Sequence, residues 1–371
     1  MITKRSGFAS LLLSGRSRTQ PQRLSPPVRF GHRPVLDGVR GVAVLLVLLN
    51  HGGRLNWGFV GVDIFFVLSG FLITTLLCEE WDGTGRISFP AFYRRRARRL
   101  LPALVLLVVG VAIAEQLDIM PHSLPLGIQI LTTLLFVNNW VGPISPDGLG
   151  VLGPTWSLGV EEQFYLVWPL TLFLLLRRGA QPRNMLMLLA VSVLVLALLG
   201  PGLGPVIGVH SGYGNPFIRA AEPLVGCIAA LIRQRFVRMS RPLCGHWTGW
   251  LAVPAIAWIA NSNASWPIRS IGPALCTGVL ILSVLANEQG ILARILALWP
   301  LRYTGRISYG LYLYQEPVNG LIGYFLPDKH LHANYILWFL AFNFALAVPS
   351  WHFIEARFLA SQSRVIEKSS R

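Results

Sequence analysis

The chain has 371 residues, of which 53% are hydrophobic and 13% charged, about half the charged share of an ordinary soluble domain. A soluble globule and an intrinsically disordered chain are both excluded, because the apolar residues gather in runs too long for buried helices. The 32 Lys and Arg against 16 Asp and Glu leave a formal charge of +16. In an apolar chain that excess reports orientation, since cytoplasmic loops collect Lys and Arg.

Residues 1–34 are basic, contain no Asp or Glu and show no apolar period, and they are expected to form a disordered cytoplasmic tail. Pro, Gly and charge clusters then bound ten apolar stretches, near 35–51, 58–78, 100–117, 155–176, 185–202, 216–232, 247–262, 270–287, 307–326 and 335–356. If each crosses a membrane from a cytoplasmic N-terminus, 27 of the Lys and Arg fall inside. Three fall outside, and Arg40 and Arg219 lie within helices. That asymmetry predicts an all-α, polytopic membrane domain over 35–358 with both termini cytoplasmic, followed by a polar tail at 359–371. The stretch 125–138 breaks the count, and is expected to be a re-entrant or interfacial helix on the outer face. Cys78, Cys227, Cys244 and Cys276 show no CxxC spacing and read as reduced packing residues.

An ionisable group at the bilayer centre costs on the order of 3 kcal/mol on insertion scales, so the polar exceptions mark candidate sites. In the first helix Arg40 and His51 are eleven residues apart, which puts them within ~20° of one face and ~16 Å apart along the axis. Arg40 suits an anionic ligand and His51 a general base; the plainer reading is a snorkelling Arg and a His at a helix end. Asp63 in the second helix lies near the same outer depth as His51, where a carboxylate can orient an imidazole; the alternative is an ion pair with Arg54. Before the third helix, Arg94, Arg95, Arg96, Arg98 and Arg99 exceed what topology needs, and Arg96 and Arg99 share a helical face suited to clamping phosphates. A plain stop-transfer cluster accounts for the same charges.

Glu161 and Glu162 open the fourth helix, where acids also serve the helix dipole. Adjacent residues point about 100° apart, so one of the two is expected to face a shared cavity. Arg219 and Glu222, at i and i+3, are expected to form a structural ion pair.

The segments LDGVRGVAVLLVLLNH, GFVGVDIFFVLSGFLI, FYRRRARRLLPA and TWSLGVEEQFYLVWP occur in this order. Together with Arg219-Ala-Ala-Glu222 and Gly226, YTGRISYGLYL at 303–313 and Phe353-Ile-Glu355, they resemble the membrane-bound acyltransferase family 3, the O-acyltransferases of bacterial envelope sugars and macrolides. The resemblance covers about residues 35–358 and implies a ten-helix domain that moves an acyl group from cytoplasmic acyl-CoA, acetyl-CoA among the donors, to a hydroxyl. It places the family's Arg-x10-His motif on Arg40 and His51, its Arg-x-x-Arg on Arg96 and Arg99, and its Glu-Glu segment on Glu161 and Glu162. Two departures stand out. Many relatives carry a His after the Tyr-Leu pair, where this chain has Tyr314-Gln315-Glu316-Pro317, so no catalytic role is assigned there. Some relatives also carry a C-terminal esterase-like domain, and here about a dozen polar residues follow the last helix, so transfer is expected to be completed by the membrane domain or a partner.

The residues and the resemblance together predict an integral membrane O-acyltransferase acting on an envelope polysaccharide, glycolipid or macrolide-type acceptor. His51 would deprotonate the acceptor hydroxyl or a transient acyl carrier, with Asp63, Glu161 or Glu162 orienting it. Arg40 would bind an anionic part of the donor or stabilise the oxyanion, and Arg96 and Arg99 would hold coenzyme A phosphates. No metal or bound cofactor is called for; acyl-CoA is a substrate. The rival reading is a transporter or flippase of a lipid-linked glycan. Nucleic-acid binding is excluded, because the positive charge is divided among six short loops.

Overall fold

The computed structural model describes residues 30–120, 124–141, 149–206, 208, 212–236, 244–326 and 334–359. Among them every regular element is a helix. The longer ones are α1 (Pro34–His51), α2 (Val60–Thr84), α3 (Phe89–Gln116), α6 (Trp156–Arg177), α7 (Pro182–Val206), α8 (Pro216–Arg235), α9 (His246–Ala260), α10 (Trp266–Ala286), α13 (Ser308–Phe325) and α14 (Tyr335–Pro349). Short helices lie between them: α4 (Leu126–Leu134), α5 (Asn138–Val141), α11 (Ile291–Leu296) and α12 (Trp299–Arg306). A 3-10 turn (Gly150–Thr155) precedes α6, and α14 ends in a π turn (Ser350–Glu355).

Each of the ten expected spans coincides with one of these longer helices. Six of the described helices are long and apolar enough to cross a bilayer: α1, α2, α3, α7, α10 and α14 with its extension to Leu359. Two of the other four fall short for visible reasons. The 15 residues of α9 reach only ~22 Å, against a hydrocarbon core of about 30 Å, and α8 carries Arg219, Glu222, Arg233 and Arg235. With its nine residues, α4 is too short to cross at all, in keeping with a non-spanning segment at 125–138.

Two boundaries differ from expectation. The arginine cluster is not a loop, since α3 begins at Phe89 and runs through it; Pro90 supplies a preorganised first turn and Arg is a good helix former. Phe30 and the residues just after it belong to the domain rather than to a loose tail. The Phe30 ring is buried, meets Phe71 edge-on and lies under Arg233, while its backbone N–H donates to Glu79. The remainder of the expected N-terminal tail, and the C-terminal tail after Leu359, lie outside the described residues. The four cysteines are free.

Burial identifies the centre of the bundle. The most apolar stretch of α2 is 78% buried, against 11% for that of α7, so α2 is the axial helix and α7 presents its Leu and Val side chains to lipid. Lipid tails are as apolar as leucine, so helices associate here through close packing rather than through burial from water. At the α2–α8 crossing a Cβ on Gly70 would stand 1.9 Å from the carbonyl oxygen of Pro223, and one on Gly226 would stand 2.1 Å from that of Val67. The α1–α12 crossing is as tight: a Cβ on Gly41 would lie 2.1 Å from the Leu301 oxygen and one on Gly305 1.8 Å from the Asp37 oxygen. These crossings hold α1, α2 and α8 in fixed register, and the polar groups hang from those three helices together with α3, α6 and α13.

Candidate active site

A cavity of about 950 Å³ lies between α2, α3, α6 and α13. Its lining along α2 extends from Val62 to Thr84, which is ~33 Å of helix at 1.5 Å per residue. It is therefore tall and narrow in proportion, with Glu79, Glu80 and Arg95 at one end and Val62, Ser157 and Tyr312 towards the other. Phe65, Leu68 and Leu72 make its walls apolar between these ends.

Four residues singled out in the sequence converge on it: Arg40, Arg96, Arg99 and Glu161. Arg40, in the first half of α1, donates from Nη2 to Ser308 Oγ at 3.1 Å, which ties α1 to the start of α13. Glu161 accepts from Ser69 Oγ at 2.7 Å. Glu162 turns the other way and receives Arg96 through Nη2 at 2.9 Å and Nε at 3.2 Å. The 100° divergence of neighbouring helical side chains thus decides between the two acids: Glu161 lines the cavity and Glu162 backs one of its arginines.

The two arginines of the α3 pair are not equivalent. Arg96 is held by Glu162 and by the face of Tyr165, 3.3 Å from Cζ to the ring centroid. Arg99, one turn further along, lines the cavity and makes no hydrogen bond or ion pair among the described residues, so its five donors stay available to an anion.

Two expected partners of the site lie elsewhere. Asp63, expected to orient His51, is fully buried and pairs with Arg219 Nη1. Arg219 also donates from Nη1 to Glu222 at 2.7 Å and from Nε to the Tyr213 carbonyl oxygen at 2.7 Å, and Glu222 takes a further bond from Ser270 Oγ. The Arg219–Glu222 pair is as expected; what the sequence did not show is that Asp63 joins it across α2 and α8. A buried guanidinium attracts the nearest carboxylate more strongly than a part-exposed imidazole does. This cluster bolts α2, α8 and α10 together, and among the described residues Asp63 pairs with Arg219 while the carboxylate at His51 is another one.

His51 does not line the cavity. It sits at the end of α1 with its side chain 30% exposed, Nδ1 bonded to the Val47 carbonyl oxygen at 2.9 Å and Nε2 3.6 Å from Glu316 Oε1. Glu161 and Glu162 are engaged with Ser69 and Arg96, so the carboxylate that meets His51 is Glu316. Tyr312, which does line the cavity, lies one helical turn before Glu316 on α13. The imidazole is thus one turn beyond the cavity's far end.

Six helices long and apolar enough to cross a bilayer, with an arginine-lined cavity among the described helices, define a multi-pass membrane protein with a polar interior site. The family model Acyl_transf_3, described as an acyltransferase domain, matches residues 33–353, and the chain belongs to that family. It is 29% identical over 346 residues to the O-acetyltransferase OatA of Staphylococcus aureus (strain NCTC 8325 / PS 47), covering 87% of this chain and 56% of the relative. It is 31% identical over 348 residues to the peptidoglycan O-acetyltransferase OatA of Listeria monocytogenes, covering 87% and 55%. With the putative peptidoglycan O-acetyltransferase YrhL of Bacillus subtilis it shares 31% over 351 residues, covering 87% and 54%. The chain therefore spans about half the length of these relatives. No solved structure matches it.

Proposed function

We infer that the domain is a membrane O-acetyltransferase that takes its acyl group from cytoplasmic acyl-CoA and delivers it to a hydroxyl of an envelope carbohydrate, with peptidoglycan the leading acceptor. The observation that carries this reading is the cavity of about 950 Å³ that collects Arg40, Arg96, Arg99 and Glu161 at one level and continues between apolar walls towards Tyr312. An anion needs that arginine cluster, and an uncharged thioester arm suits the apolar stretch beyond it. The acceptor class follows the names of the relatives, which gives macrolide-type and glycolipid acceptors no support. Movement of a glycan without acyl transfer is likewise not favoured.

In this reading all ten long helices cross and both termini are cytoplasmic, with the Glu79–Glu80–Arg95 end of the cavity inside and His51 towards the outer face. Arg99 and Arg40 hold donor phosphates, and Arg96 contributes the N–H groups that Glu162 does not occupy. His51 Nε2 takes the proton as the acceptor O–H bond breaks. The acceptor oxygen bonds to the acyl carbon, the thioester C–S bond breaks, and the imidazolium returns its proton to the departing thiolate.

The test is the purified protein in lipid nanodiscs with acetyl-CoA and soluble peptidoglycan fragments, following thiol release and acceptor mass. The expected result is a thiol released for each acceptor gaining one acetyl mass, abolished by His51→Ala. An acceptor of unchanged mass, or undiminished transfer by well-folded His51→Ala protein, overturns the reading.

A further inference from the structure

We propose that Glu316 is the positioning carboxylate of His51, the partner that stabilises the imidazolium formed during transfer; this rests on the acyl-transfer reading above and extends it to a residue that reading does not use. The first step is the tautomer. A carbonyl oxygen can only accept, so the 2.9 Å contact from Nδ1 to the Val47 oxygen puts a proton on Nδ1, and in the neutral ring the lone pair then lies on Nε2. The backbone of α1 therefore fixes both the rotation of the ring and which nitrogen acts as base.

The second step is what Nε2 faces. Glu316 Oε1 stands 3.6 Å away, too far for a hydrogen bond to a neutral ring and close enough for strong attraction once the ring is charged. The carboxylate thus contributes little before proton transfer and most after it, the pattern that lowers a barrier rather than tightening ground-state binding. Glu316 is itself held from behind: Asn319 Nδ2 donates to its Oε2 at 3.3 Å, and Tyr335 OH donates to Asn319 Oδ1 at 2.8 Å. The carboxylate is anchored through one oxygen and offers the other to the imidazole.

The third step is placement. Ser308, Tyr312 and Glu316 lie four residues apart on α13 and so share one face. The first bonds Arg40, the second lines the cavity and the third meets His51. One helix face therefore leads from the arginine cluster to the base, and the His51 and Glu316 side chains, 30% and 25% exposed, are open to an approaching acceptor.

Glu316→Gln keeps size and hydrogen bonding and removes the charge. In nanodiscs with acetyl-CoA and peptidoglycan fragments it is expected to lower kcat roughly 10- to 100-fold, with both KM values within about twofold of wild type. Glu316→Asp is expected to recover part of the loss, and adding Glu316→Gln to His51→Ala is expected to change nothing further. Size-exclusion profiles matching wild type establish that each variant is folded. A Glu316→Gln enzyme with wild-type kcat, or one altered only in KM, overturns the pairing while the acyl-transfer reading stands. Wild-type protein that releases no thiol brings down that reading, and the pairing falls with it.

Discussion

Arg96 spends two of its donors on a single oxygen of Glu162 and lays its guanidinium plane over Tyr165, 3.3 Å from the ring centroid. Arg99, three residues along the same face, has no such claim on it among the described residues. A pair that looks symmetrical in the sequence is in the folded protein one braced cation and one open one.

That difference predicts unequal mutants. Arg99→Ala is expected to raise the KM for acetyl-CoA by ~10- to 100-fold with the acceptor KM unchanged, the loss of about one charge-assisted hydrogen bond at 1.5–3 kcal/mol. Arg96→Lys is expected to lower the amount of folded protein as well as the affinity, because an ammonium can neither fork onto Glu162 nor stack on Tyr165. Steady-state kinetics together with size-exclusion yield separate the two effects.

Removing Arg219 leaves Asp63 and Glu222 as two buried carboxylates without a cation. Breaking a buried pair in this way costs roughly 3–5 kcal/mol, so Arg219→Leu is expected to lose most monodisperse protein in detergent and to melt well below wild type. Arg219→Leu combined with Asp63→Leu and Glu222→Leu removes the stranded charges, and recovery of the melting temperature in that triple variant checks the assignment.

The α1–α12 crossing sets a steric limit. Gly41→Val places a branched side chain where even a Cβ stands 2.1 Å from the Leu301 oxygen. The helices must then separate, at about 1–3 kcal/mol or more. The expected outcome is a lower melting temperature with reduced activity, whereas Gly110→Ala, exposed on α3 where a Cβ meets nothing within 4 Å and helix propensity improves, should leave both near wild type.

Helix existence was legible throughout, because apolar runs bounded by Pro, Gly and charge are what a bilayer demands, and all ten expected stretches are helical. Local geometry also carried the Arg219–Glu222 pair and the divergence of Glu161 from Glu162, since both follow from the pitch of one helix. What the sequence could not carry were partners on different helices. Asp63 looked matched in depth to His51, yet depth says nothing about azimuth, and α2 turns that side chain to α8. Glu316 was passed over because its segment, Tyr314-Gln315-Glu316-Pro317, lacks the His that the resemblance leads one to expect there. The signal that could have found it was its place on the face of Ser308 and Tyr312, one helix period on.

The two ties between α1 and α13, Arg40 to Ser308 and His51 to Glu316, run in the same chain direction on both helices. They turn the pair into a ruler. Arg40 and His51 are held ~16 Å apart along α1 by helix rise alone, so a donor gripped by its charged end must carry its reactive carbon across that interval. On the acyl-transfer reading the domain gauges the length of the carrier's arm before it meets the acyl group, and a shortened carrier bearing the same acetyl group would bind without reacting.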